Sequence, residues 1–235
     1  MTKLRLDDIQ RYSDLIRSRR GDAITLRIAG APDAEALQAY VRSLSPRSRA
    51  NRFLGGISEL PKAVLDDFTR PGEGDRFTLL ATIMVDGSEQ IIGEARYAFH
   101  AEDDAFEFGL SVQDRWHGRG VGAALMTNLE CRAAALGAVG LFADTLRTNY
   151  VMIALARKSG YGLLRHPDDW KLLRFEKQVA YAPAEIPCAS WRLAALAQPS
   201  LRAAKGDEAF HGRASGSGLL GFTRNDERRI HTPQS

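Results

Sequence analysis

The chain has 235 residues, of which 44% are hydrophobic and 26% charged, which suits a soluble globular protein with one good core and room for extensions. A net charge of +3 is too mild to indicate nucleic acid, although six Lys and Arg face three Asp in the first twenty residues. No stretch approaches the roughly 18 uninterrupted apolar residues of a membrane span, and the start has no signal-peptide core, so the cytoplasm is the expected compartment. Cys131 and Cys188 give neither a metal-ligand spacing nor a disulfide framework, so no metal or redox role is expected.

In chain order, residues 1–22 read as a basic extension, 23–180 as one domain, and 181–235, rich in Ala, Pro, Gly and Ser, as a loosely docked tail. "AITLRIA" alternates as a strand, and "APDAEALQAYVRSLS" has helical spacing. After "SPRSRANRFLGG" comes a second helical stretch, "ELPKAVLDDFTR". Two β-rich runs then meet across Asp86-Gly87-Ser88, which suits a hairpin. "DAFEFGLSVQ" is a strand with Phe106, Phe108, Leu110 and Val112 on one face and Glu107, Gly109 and Ser111 on the other. From Val121 the pattern is helical, with Gly137 as the stop; the strand "AVGLFADTL", the helix "NYVMIALARKS" and two further strands follow. The order implies an α/β or α+β fold with a mixed central sheet.

The segment "DRWHGRGVGAAL" sits between a strand and a helix. Glycines there mark a positive φ or a close main-chain approach, and a following helix favours an anion at its N-terminus. A ligand-free turn is the plainest reading of the glycines alone. A P-loop is excluded because no Gly-Lys-Ser/Thr follows. Gly118, Gly120 and Ala123 fit a dinucleotide fingerprint, with Asp144 as the ribose acid, but the strand before them is internal and "DRWH" intervenes.

A third reading rests on resemblance. His117-Gly118-Arg119-Gly120-Val121-Gly122 is similar to the acyl-coenzyme A signature of the GCN5-related N-acetyltransferases, and Asn149-x-x-Met152-x-x-Leu155-x-x-x-Ser159-Gly160-Tyr161 to that family's later Asn…Gly-aromatic segment. The resemblance spans about residues 23–178. It implies a mixed sheet flanked by helices and acetyl-CoA as acyl donor. Backbone N–H groups from Gly118 to Gly122 would face the pyrophosphate, with Arg119 at the rim or simply solvated and His117 shaping the loop. Leu110 and Val112 would supply main-chain contacts to the pantetheine arm and thioester. Asn149 would either bond that arm or cap its own helix.

Acetylation of an amine needs a base, since an ammonium of pKa about 10.4 has no lone pair at neutral pH. "AFEFGLSVQDRWHGRGVG" also resembles bacterial protein-lysine acetyltransferases, in which the glutamate matching Glu107 is that base. Glu94 is the second candidate; His100 and His117 are weaker ones. Where many relatives have a tyrosine acid, this chain has Ala156, and Tyr150 is too close to the helix start to replace it. "SPRSRANRFLG" resembles the protein-lysine branch and favours a protein lysine as the acceptor amine. Arg47, Arg49 and Arg52 would also suit an acidic acceptor or a solvated loop. The expected enzyme is a monomer or homodimer without nucleic-acid or membrane partners. A non-catalytic acetyl-CoA sensor on the same fold, and then a Rossmann-type oxidoreductase, are the alternatives.

Overall fold

A computed structural model describes residues 11, 13–70, 75–100 and 105–179. The tail from Tyr181, with Cys188, and most of the basic stretch before Asp14 lie outside the described residues. Eight strands form one sheet in the order β1-β2-β3-β4-β5-β6-β8-β7. They are β1 (Asp14–Arg17), β2 (Ala23–Ile28), β3 (Arg76–Val85), β4 (Ser88–His100), β5 (Ala105–Val112), β6 (Gly140–Leu146), β7 (Gly162–Arg165) and β8 (Leu172–Gln178). Every neighbouring pair is antiparallel except β5 with β6. That single parallel junction corrects the dinucleotide reading, which requires a doubly wound parallel sheet.

Among the described residues five α-helices cover the sheet: α1 (Ala34–Ser43), α2 (Pro46–Phe53), α3 (Lys62–Thr69), α4 (Val121–Ala135) and α5 (Tyr150–Lys158). Leu37, Tyr40 and Val41 of α1, Phe53 of α2 and Val64 and Phe68 of α3 bury one face with Leu80 and Ile91. Val121, Leu125, Met126 and Leu129 of α4 and Ile153 and Ala156 of α5 bury the other with Phe77, Leu79, Tyr97 and Phe108. The alternation read in β5 thus separates two cores.

The Asp86-Gly87 turn forms as expected. Asp86 (φ 49°) and Gly87 (φ 79°) are both left-handed, and Val85 faces Ser88, giving a two-residue hairpin. Two elements differ from the sequence reading. Residues 46–53, taken as a connection, are helix α2: Ser45 caps it by accepting from Ser48 N–H at 3.2 Å, and Pro46 occupies the first turn. Residues 14–17, taken as part of an extension, are edge strand β1, antiparallel to β2. Asp14 is buried there, bonded to Asn128 (2.7 Å) and Arg132 (3.2 Å) of α4.

Candidate active site

The two edges of β5 differ. Toward β4 it is paired from Ala105–His100 to Val112–Gly93; toward β6 the pairing covers only Phe106–Leu141 and Glu107–Phe142. Past Glu107 the strands diverge and leave a wedge. Gln113 N–H donates to Ile92 O at 2.8 Å, which fixes the alternation: the main-chain groups of Ser111, Gly109 and Glu107 point to β4, and those of Val112 and Leu110 point to the wedge. Leu110 and Val112, expected to offer main-chain contacts, therefore face the opening. Val112 O already accepts from His117 Nε2 at 2.8 Å. A carbonyl can only accept, so this contact puts a proton on Nε2.

His117 in this way ties the end of β5 to the loop that follows. Gly118 (φ 72°) and Gly120 (φ 92°) are both left-handed, and a side chain at Gly118 would point into open space. Glycine is needed at these positions for backbone conformation. Gly120 caps α4 without a side-chain bond, and the first N–H to bond back is that of Ala124, to Gly120 O at 3.0 Å. The N–H groups of Val121, Gly122 and Ala123 are the helix's N-terminal donors, and with the helix dipole they suit an anion. At Gly122 an added side chain would press on Leu155 of α5 at 3.3 Å. Arg119 stacks over Trp116 at 4.5 Å and lies 3.7 Å from Asp22.

Glu107 is half-buried, on the same sheet face as Gly109 and Ser111, opposite Ala98 of β4 and beside Phe142 of β6. Phe142 carries the Arg174 guanidinium at 4.4 Å on its ring and the His100 imidazole edge-on at 5.9 Å. Glu94 is in a different setting. It is 1% exposed, receives Arg52 through Nε at 2.7 Å and NH2 at 3.2 Å, and accepts from Ser111 Oγ at 2.6 Å. Tyr40 closes this network on Ser111 at 3.0 Å, and burial, then the Glu94 charge, pushes its phenol well above the ordinary value. Arg52 also explains Gly109: a Cβ there would lie 2.5 Å from the guanidinium. Glu94, the second candidate base, is enclosed, whereas Glu107 stands where the wedge begins.

The arginines of "SPRSRANRFLG" are mostly committed. Arg49 donates to Ile57 O at 2.9 Å and to Arg42 O at 3.1 Å, Arg52 is in the buried pair, and Arg47 alone is exposed. This corrects the reading of the three as an acidic-substrate surface or a solvated loop. Sequence reasoning missed Asp114 at the head of the glycine segment. Its carboxylate accepts from Ser45 N–H (3.0 Å), Ser45 Oγ (2.8 Å) and Ser48 Oγ (2.8 Å), tying α2 to the loop. Desolvation raises the carboxyl's pKa, but the bonds from Ser45 and Ser48, with the His117 charge, outweigh it and hold it below the ordinary range.

On the far side of the wedge, Asn149 caps α5, accepting from Met152 N–H at 3.3 Å and donating to Thr145 Oγ1 at 3.1 Å. Of its two alternatives, the capping one is formed. Ala156 is fully buried and Tyr150 exposed. Asp144 is held by Arg174 at 3.0 and 2.8 Å and by His166 Nε2 at 3.2 Å, so it is not presented as a ribose acid. Among the described residues no helix is long and apolar enough to cross a membrane.

Comparison with known proteins agrees with this geometry. Residues 49–161 match the model of the acetyltransferase (GNAT) family. The chain is 29% identical over 149 residues to an acetyltransferase from Pseudomonas aeruginosa, covering 63% of this chain and 80% of that one. Among solved structures it is similar to the GNAT domain of S. lividans PAT, with TM-score 0.65, 26% identity, and coverage of 72% of this chain and 97% of that domain. It shares its fold with a cAMP-binding acyltransferase from Mycobacterium smegmatis, with TM-score 0.53, 20% identity, and coverage of 81% of this chain and 54% of the other. It also shares its fold with the Salmonella typhimurium protein yncA, solved with its cofactor acetyl-CoA, with TM-score 0.53, 16% identity, and coverage of 70% of this chain and 99% of that one.

Proposed function

Because the chain belongs to the GNAT acetyltransferase family, we propose that it is an acetyl-CoA-dependent N-acetyltransferase that transfers acetyl directly to a primary amine, with a protein lysine as the acceptor. The observation that carries this reading is the wedge between β5 and β6, with Glu107 at its apex and the glycine loop at its mouth. Acetyl-CoA supplies an activated thioester. Its pyrophosphate suits the N–H groups of Gly118 to Gly122, where left-handed Gly118 borders open space.

In this reading Glu107 takes the ammonium proton, directly or through a water, so that the amine can attack. The Leu110 N–H, which points into the wedge and is preorganised by the β4 side of the strand, stabilises the oxyanion as it forms. His117 holds Val112 O and so fixes the end of β5 relative to the loop. With Ala156 buried where relatives have a tyrosine, water protonates the departing thiolate. The likeness of Ser45–Gly55 to the protein-lysine branch and the similarity to the S. lividans PAT domain support a lysine acceptor.

Calorimetric titration with acetyl-CoA, with NADH as control, tests the donor without a guess at the acceptor. Saturable binding followed by CoA release with lysine peptides supports the enzyme. Binding without release across broad peptide and amine panels supports a sensor, and absence of binding by the folded protein overturns the reading.

A further inference from the structure

The turn between β1 and β2 is tightly built. Ser18 Oγ donates to Asp22 Oδ2 at 2.6 Å and accepts from the N–H of Arg20 at 3.1 Å and of Asp22 at 3.2 Å. Ser18 N–H reaches Asp22 O at 2.9 Å, and Gly21 (φ 92°) donates to Ser18 O at 3.0 Å. The turn rests on the glycine loop. Arg19 N–H donates to Arg119 O at 2.9 Å, its guanidinium donates to Gly118 O at 3.4 Å, and its Cγ lies 3.7 Å from where a Cβ on Gly120 would sit.

Two arginines thus border the loop under different constraints. Arg119 is stacked on Trp116 and lies near Asp22. Arg19 is exposed, and its guanidinium makes a long hydrogen bond to a neutral carbonyl. A guanidinium has five N–H donors and can bond a phosphate through two parallel N–H groups, so this single long bond to a carbonyl would yield to an anion. The main-chain anchor to Arg119 O does not depend on the side chain and holds the arginine at the loop in either state.

We propose that Arg19 is a phosphate ligand of the coenzyme, its stem crossing Gly120 and its guanidinium moving from Gly118 O to a phosphate seated at the loop. The inference rests on the acetyl-CoA reading above and adds a residue from the basic N-terminal stretch to it.

The test is calorimetric titration of the full chain and of its Arg19→Met and Arg19→Lys variants with acetyl-CoA and with 3′-dephospho-acetyl-CoA, with thermal melts of each. Arg19→Met is expected to weaken acetyl-CoA by about tenfold or more, the worth of a charge-assisted hydrogen bond, and to reduce the salt sensitivity of binding. Arg19→Lys should recover part of the loss, with melting unchanged in both. A loss with both ligands assigns the contact to the pyrophosphate, and a loss with acetyl-CoA alone assigns it to the 3′-phosphate. Binding by Arg19→Met within about twofold of the parent, less than any charged hydrogen bond supplies, overturns the proposal. Equal loss in Met and Lys variants with an equal fall in melting temperature also overturns it, because the side chain is then scaffold. If the parent chain itself binds neither ligand, the acetyl-CoA reading fails first and carries this inference with it.

Discussion

Strand β5 has two edges that differ in everything but sequence. Along β4 it is paired from end to end, and the carboxylate beside that seam, Glu94, is sealed by Arg52 and Ser111. Along β6 the pairing stops after Phe106 and Glu107, and the carboxylate at the stopping point is half-buried. Two glutamates on one sheet face thus sit differently: one fixes the helical layer to the sheet, and the other, where the seam stops, is the base we propose.

The largest expected effect that breaks this contrast is Glu107→Gln. It should lower kcat by about 10²–10⁴-fold, the usual worth of a positioned base, while acetyl-CoA affinity stays near the parent value. A folded variant that keeps its full rate across pH would remove Glu107 from the mechanism. On the sealed edge, Arg52→Met should cost about 3–5 kcal/mol in stability by stranding the Glu94 charge, read by denaturant unfolding. The double variant Arg52→Met, Glu94→Met should recover part of it. Gly120→Glu should raise the acetyl-CoA dissociation constant by about tenfold or more, because a side chain is strained at φ 92° and the carboxylate repels phosphate.

The smallest effect concerns Asp114, whose folded carboxyl lies below its unfolded pKa of about 3.9. The sign follows from that depression. Its stabilisation is fully present above the unfolded value and is lost as pH falls through the folded one. Solvent screening limits it to under about 1 kcal/mol. Asp114→Asn should therefore cost up to about 1 kcal/mol near neutral pH and flatten the acid end of the stability curve, the variant and the parent converging as pH falls.

What the sequence made legible was local. The Asp86-Gly87 hairpin, the alternation of β5 and the Gly120 start of α4 each depend on residues within a few positions of one another. Helix α2 had a readable signal in Ser45-Pro46, obscured by three arginines. Strand β1 is only four residues, "DLIR", too short to show a period. The remaining gaps are long-range. Arg52 meets Glu94 42 residues away, Ser45 meets Asp114 69 residues away, and Arg19 meets Gly118 99 residues away. No spacing rule links such pairs; the sheet order that brings them together is a property of the whole fold.

The wedge also leaves its mark on how fast amide hydrogens trade with solvent. Gly109 and Ser111 direct their N–H groups into the closed seam, whereas Leu110, between them, directs its N–H into the opening. Neighbouring amides on one strand should then exchange at rates set by different events. The outer two wait for the sheet to open, and the middle one needs only water in the cleft. Bound donor would slow the middle amide and leave its neighbours nearly as they were, so a single residue, Leu110, would report occupancy.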